Sequence, residues 1–336
     1  MLQLATLAVL FAVLVATDHL RSALGTPSAS VDVAAARKQI AFTHDSGDNL
    51  EIYVVDNRGK LRNLTRNPAD DDTPSWSTDG RQIAFTRETE EAFDIYVTNA
   101  DGTGQRRLVR RGYDAVWSPT ERRIAFGRED RGTIGEPGYD PGGLFVVNGD
   151  GTGLRRLTSD FFASHLAWSP NGRRIAYSGL EGISIVDAAG SGRARRVTSD
   201  AATNIAASWS SDGRRIVYER RVGFDSDIYV VNADGTGRRR LARNAYSPVW
   251  SPTGKQIAFG SNAGDPQIHT ILADGSARRT LTTAGHEPAW SSDGRQIAFR
   301  SRRDGDLEIY VMNSDGSGPR RLTRLAGVDT GPRWRP

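Results

Sequence analysis

A chain of 336 residues with 38% apolar residues, 25% charged residues and 7 Trp has enough material for a buried core, which excludes generic disorder. It contains no cysteine, so disulfides, thiolate catalysis and cysteine-bound zinc or iron–sulfur centres are excluded as well. Its 44 basic residues stand against 40 acidic ones, and a net charge of +4 offers little drive toward a polyanion unless a basic face is local.

In chain order, the first feature is an uncharged Leu/Ala/Val-rich run from Leu2 to Thr17, with Asp18 the first charged side chain. Sixteen residues fall short of the roughly 20 needed to span a bilayer as a helix and suit the apolar stretch of a secretory signal. Small residues at Ala23/Gly25 or Ser28/Ser30 suit processing, so residues 1–30 read as a signal peptide or apolar export segment. The expected location is periplasmic or secreted, without a stable membrane span after processing; an uncleaved N-terminal anchor is the alternative.

From about residue 38 a single pattern recurs. Trp76, Trp117, Trp168, Trp209, Trp250, Trp290 and Trp334 are separated by 41, 51, 41, 41, 40 and 44 residues. Seven residues after each of the first six stands an apolar triplet, such as Ile83-Ala84-Phe85 or Ile257-Ala258-Phe259, and that invariant spacing predicts a fixed-length hairpin. Ser77-Thr78-Asp79-Gly80 and Ser292-Asp293-Gly294 supply the turn chemistry between them. A third strand follows, as at Ile95-Tyr96-Val97 and Ile228-Tyr229-Val230. A second glycine turn, such as Asp234-Gly235-Thr236-Gly237, leads to an Arg-Arg-Leu-Thr-like fourth strand. Each unit therefore reads as a four-stranded antiparallel meander of about 41 residues, the length of a propeller blade.

The two ends complete each other. Ile40-Ala41-Phe42, Ile52-Tyr53-Val54 and Leu61 to Thr65 supply strands two to four of a blade, but Val33 stands where its Trp should be. The missing strand occurs at Pro332-Arg333-Trp334. Pairing the two ends closes a ring and removes exposed sheet edges. The expectation is an all-β, seven-bladed propeller over 38–336, one domain, closed by the C-terminal strand on the N-terminal blade.

The unit Trp-Ser-Pro/Ser-Asp-Gly-Arg-x-Ile-Ala-Phe, then Ile-Tyr-Val-x-Asn-x-Asp-Gly and Arg-Arg-Leu-Thr, resembles the PD40, or WD40-like, repeat of TolB-like β-propellers, with residues 246–323 matching especially well. That family includes the propeller of TolB, the periplasmic component of the Tol-Pal system, and those of prolyl-oligopeptidase-type peptidases. The resemblance implies an extracytoplasmic scaffold that binds a protein or peptide of the cell envelope. Seven copies stand here where TolB has six, and the α/β domain that precedes the TolB propeller finds no counterpart.

In a meander of this kind the glycine turns share one end of the ring; the loops from strand two to three and the links between blades share the other. Binding chemistry is expected on the loop end. There the chain enters the innermost strands through Asp72, Tyr113, Asp114, His165, Tyr246, His286 and Glu287, with Asn204 and Asp329 five residues before their Trp. Such a ring at the channel mouth suits a partner peptide or polar ligand; the plain reading is solvated residues at strand starts. The 51-residue gap places about ten extra residues between Gly127 and Gly143, where Glu129, Asp130, Arg131, Tyr139 and Asp140 are candidates for a lid or partner contact.

The Asp-Gly-Thr-Gly segments lack the alternating carboxylates of a calcium loop and read as turns. Arg pairs such as Arg106-Arg107 and Arg239-Arg240 read as charges that blunt the outer edge. No cofactor, metal or nucleic-acid partner is expected, and a monomer is. With no Gly-x-Ser-x-Gly elbow, catalysis is the second reading: a propeller lyase, lactonase or hydrolase using His165, His286 and Glu287 across the channel.

Overall fold

The computed structural model describes residues 38–130, 142–160, 162–200, 202–261 and 266–336. The expected export segment therefore lies outside the described residues. Lys38–Pro336 forms one compact unit of seven four-stranded antiparallel sheets, numbered here as blades 1 to 7 with innermost strands Val328–Trp334, Asp71–Trp76, Tyr113–Trp117, Ser164–Trp168, Thr203–Trp209, Ala245–Trp250 and His286–Trp290. No helix among the described residues is long and apolar enough to cross a membrane. Blade 2 is representative, with strands Asp71–Trp76, Gln82–Glu88, Phe93–Asn99 and Arg106–Val109.

Blade 1 is assembled from both ends of the chain. Its innermost strand, Val328–Trp334, lies beside Gln39–Asp45, followed by Leu50–Asp56 and Leu61–Asn63. Ile40 pairs with Trp334 and Asp45 with Val328, as ring closure requires.

The serine after each of the first six Trp makes the first turn. Ser77 is buried; its carbonyl accepts the Gly80 N–H at 2.8 Å and its hydroxyl accepts the Gln82 N–H at 2.9 Å. Gly80 has φ of +64°, which glycine adopts without steric cost. In the Asp-Gly-Thr-Gly segments the aspartate accepts from the Thr N–H and hydroxyl two residues on, at 2.9 and 2.6 Å for Asp101 and Thr103. These are self-contained turns.

Apolar burial lies between blades. Ala41, Ile52 and Val54 of blade 1 pack with Trp76, Ile83 and Phe85 of blade 2, while Ile40, Phe42 and Val55 pack with Ala298, Ile309 and Val311 of blade 7. Six of the tryptophans are buried and Trp334 is half-buried. Five indole N–H groups donate to the innermost strand of the preceding blade: Trp76 to Arg333 O, Trp168 to Val116 O, Trp209 to Ala167 O, Trp290 to Val249 O and Trp334 to Ala289 O, at 2.9 to 3.3 Å. Trp117 and Trp250 lack this rung. There the preceding blade presents Ser75 or Ser208, whose hydroxyl accepts the tryptophan's main-chain N–H instead, at 3.0 Å in both cases.

The Arg pairs do more than blunt an edge. Successive strand residues face opposite sides, and the first Arg of a pair reaches turn carbonyls of the next blade: Arg155 to Ala188 and Ala189, both at 2.7 Å, and Arg239 to Asp274 at 2.6 Å. The second turns back to an acid of its own blade, as in Arg107 to Asp94 (3.2 Å) and Arg240 to Asp227 (3.3 Å). Where both contacts are made, as by Arg239 and Arg240, the pair joins neighbouring blades and pins the outer strand.

His269 occupies a slot that holds Tyr or Phe in five other blades and stacks on Phe259 with ring centroids 5.2 Å apart. Burial, reinforced by Arg278, lowers its pKa to about 4. Arg278 donates to Nε2, so Nδ1–H donates to Thr280, and a second ring proton would face the guanidinium. Between pH 6.5 and 4 the unfolded chain takes up a proton that the native ring resists, so stability is lost as pH falls. Urea titrations at pH 7.5 and 5 are expected to show a loss of about 2 kcal/mol from this group, absent in His269→Tyr.

Candidate functional site

The innermost strands supply the candidate residues, and each strand is broken by a bulge. Register shifts fall between Asp72 and Ser75, Tyr113 and Val116, Ser164 and Ala167, Ile205 and Ser208, Tyr246 and Val249, and His286 and Ala289. The residue three before each Trp has positive φ: Thr73, Asp114, His165, Ala206, Ser247, Glu287 and Gly331, between +48° and +59°. Six of these are not glycine, and each such residue costs on the order of 1 kcal/mol unless its surroundings impose it. Seven different residue types occupy one backbone conformation. Ala206 has no polar group to compensate, so Ala206→Gly is expected to be neutral or stabilising by up to about 1 kcal/mol in urea unfolding, against the usual cost in a strand.

Side chains at the mouth meet in local groups. Across the seam of blades 6 and 7 the Tyr246 hydroxyl bonds His286 Nδ1 at 2.8 Å, and Arg300 pairs with Glu287 at 2.9 Å. Glu287 Oε2 also accepts the Gly331 N–H of blade 1. Buried Glu219 of blade 5 accepts the Ser247 N–H at 2.9 Å and the Ser226 hydroxyl at 2.9 Å. Burial pushes the Tyr246 hydroxyl up to about 12 and lowers His286, which Arg300 depresses further. The tyrosine therefore stays protonated and the imidazole neutral at pH 7.

Three other groups are separate from this one. Asp114 of blade 3 accepts the His165 N–H of blade 4 at 3.0 Å, and Ser164 bonds His165 Nδ1 at 3.0 Å. Tyr113 keeps a buried hydroxyl without a partner, its pKa raised by burial and by Asp114 and Glu129. Asp72 accepts from the Thr43 hydroxyl of blade 1 at 2.7 Å and from the Thr73 N–H at 2.6 Å.

Asn204 and Asp329 are only 2% and 1% exposed, inside the blades rather than on an open mouth. Asn204 donates to Asp200 at 2.9 Å; burial opposes that carboxylate, but Arg220, Asn204 and Arg238 hold it well below the usual range. Asp329 meets His44 Nδ1 at 2.7 Å, and burial raises its carboxyl. Tyr139 and Asp140 lie outside the described residues. His165 and His286 stand on blades 4 and 7, and no described contact joins them. No three His, Asp or Glu side chains among the described residues converge to hold a metal ion.

Glu219 and Arg300 are the members missed from sequence. They pair across the strand with Ile205 and His286, one residue after the triplet. That register was a usable signal, because the same position is glycine where the partner is Tyr113 or Tyr246. A Cβ at Gly127 or Gly260 would lie 2.5 Å from the tyrosine ring.

The two ends differ in exposed apolar surface. Phe93, Phe162, Leu180, Val222 and Phe224 project from the loop end, Phe224 fully, at the tip of a hairpin between two eight-residue strands. Among the described large apolar side chains that are exposed, Leu154 alone lies on the turn end.

A family profile described as the TolB beta propeller domain, PD40, matches residues 20–184 and 143–287. The Tol-Pal system protein TolB of Gluconobacter oxydans is 34% identical over 101 residues, 29% of this chain and 22% of that protein. The chain thus aligns with about a fifth of that relative's length. The crystal structure of TolB from Acinetobacter baumannii superposes with a TM-score of 0.59 at 14% identity, covering 90% of this chain and 67% of that one. Oligogalacturonate lyase from Vibrio parahaemolyticus superposes with a TM-score of 0.64 at 14% identity, covering 82% and 86%. At such identities both likenesses speak to the fold alone.

Proposed function

The chain belongs to the TolB beta propeller (PD40) family, and from that premise we propose that it is an extracytoplasmic scaffold that binds a protein or peptide of the cell envelope on its loop end, without chemistry of its own. The observation that carries this reading is the asymmetry of the two ends. One end repeats nearly the same glycine turn in every blade. The other holds six different side chains and one glycine at a single backbone position of positive φ, together with five exposed apolar side chains. A rigid frame with diversified polar positions and exposed aromatic anchors is what protein recognition uses. The apolar start of the chain and the family's TolB members support placing it outside the cytoplasm.

Crosslinking and affinity capture from the native envelope test the proposal. The wild type is expected to recover a defined partner, and the combined variant Phe162→Ser, Leu180→Ser, Phe224→Ser is expected to lose it while keeping its thermal transition. Equal recovery by both proteins, or none by either, would refute it.

One observation favours a second reading, an enzyme of lyase or hydrolase type. Tyr246, His286, Glu287 and Arg300 form a contiguous group with a neutral imidazole. A thermal-shift screen of small polar ligands discriminates: a shift abolished by His286→Ala supports chemistry at this group.

A further inference from the structure

On the loop end, a cleft of about 390 Å³ opens between blades 2 and 3. Its walls are Glu91 and Phe93 from blade 2, Arg111 from the link, and Tyr113, Glu129 and Asp130 from blade 3. Phe93 is 41% exposed and presents an aromatic face. Tyr113 is fixed opposite Gly127, where no larger residue fits. Three carboxylates stand against one guanidinium in a chain whose net charge is +4. Both Glu91 and Glu129 are exposed, whereas Arg111 donates to the Glu129 main-chain carbonyl at 3.0 Å. This interface is also the one where Trp117 lacks its indole rung, and it holds a second cleft of about 590 Å³ on the turn end.

We propose that the loop-end cleft seats a lysine or arginine side chain presented by an extended segment of a protein partner. The inference rests on the loop-end binding reading and specifies the partner's chemistry. A long cationic side chain lays its methylenes along Phe93 and Tyr113 while its charge meets Glu91 and Glu129. A carboxylate or a neutral polar group gains neither contact.

Fluorescence anisotropy with the full chain tests it, using labelled Gly/Ser peptides that carry two central arginines, lysines, glutamates or norleucines. The arginine and lysine peptides are expected to bind and to weaken as salt is raised. Phe93→Ala, Glu91→Gln and Glu129→Gln are each expected to weaken them about two- to fivefold. Glu121→Gln, on the turn end, is expected to leave binding unchanged. Binding of all four peptides alike, retention of wild-type affinity by the cleft variants, or no binding of cationic peptides at millimolar concentration would overturn the assignment. Envelope capture that survives the cleft substitutions would remove the cleft and leave the loop-end reading standing. Peptide binding as stated, with no partner captured, would do the reverse.

Discussion

Removal of Val328–Pro336 is expected to destroy the cooperative fold, or to lower its melting temperature by at least about 10 °C, which for a chain of this size corresponds to roughly 5 kcal/mol. The deletion strips Gln39–Asp45 of its inner partner and exposes a sheet edge in blade 1. It removes two of the five indole rungs, since Trp76 donates to Arg333 O and Trp334 to Ala289 O. It leaves His44 buried without Asp329. Ordinary domains are stable by about 5 to 15 kcal/mol, so the combined loss reaches the scale of the whole. Circular dichroism and calorimetry of the truncated chain are the measurement. A transition at the parent temperature would mean that the terminal pairing contributes nothing.

A second large effect is expected at Asp71. This residue is fully buried and accepts two hydrogen bonds from Arg87, at 2.6 and 2.8 Å, with a third from Asn67 at 2.6 Å. Burial raises the carboxyl even with Arg87 beside it, so the pair is held by geometry in an environment that disfavours charge. Asp71→Ala leaves the guanidinium uncompensated and is expected to cost about 3 to 5 kcal/mol in urea unfolding. The double variant Asp71→Leu, Arg87→Met removes both charges and is expected to recover most of that loss. If the double variant is as damaged as the single one, the ion pair is not the cause.

The blade count was legible because a hairpin of constant length stamps its period on the chain. Trp76 to Ile83 and Trp290 to Ile297 are the same seven-residue step. Closure was legible too, since the strand missing before Ile40 is present at Trp334. The bulges were not. Thr73, Asp114, His165, Ala206, Ser247, Glu287 and Gly331 share a backbone angle but no residue type, so composition carries no trace of it. Asn204 and Asp329 show a related failure. One residue of offset moves a strand side chain to the other face, which places both inside the blades while Tyr246 and His286 meet at the mouth. The Arg bridges between blades were hidden for a simpler reason, because Arg155 meets the carbonyl of Ala188 only once neighbouring sheets are in place.

Blade 1 draws its inner strand from Val328–Trp334 and its outer three from residues 39–63. A ribosome making this protein must therefore translate the whole wheel before the first sheet can be finished. At ordinary elongation rates that interval is on the order of tens of seconds. Throughout it, Gln39–Asp45 stays open on its inner side, an unpaired sheet edge of the kind that templates pairing with another chain.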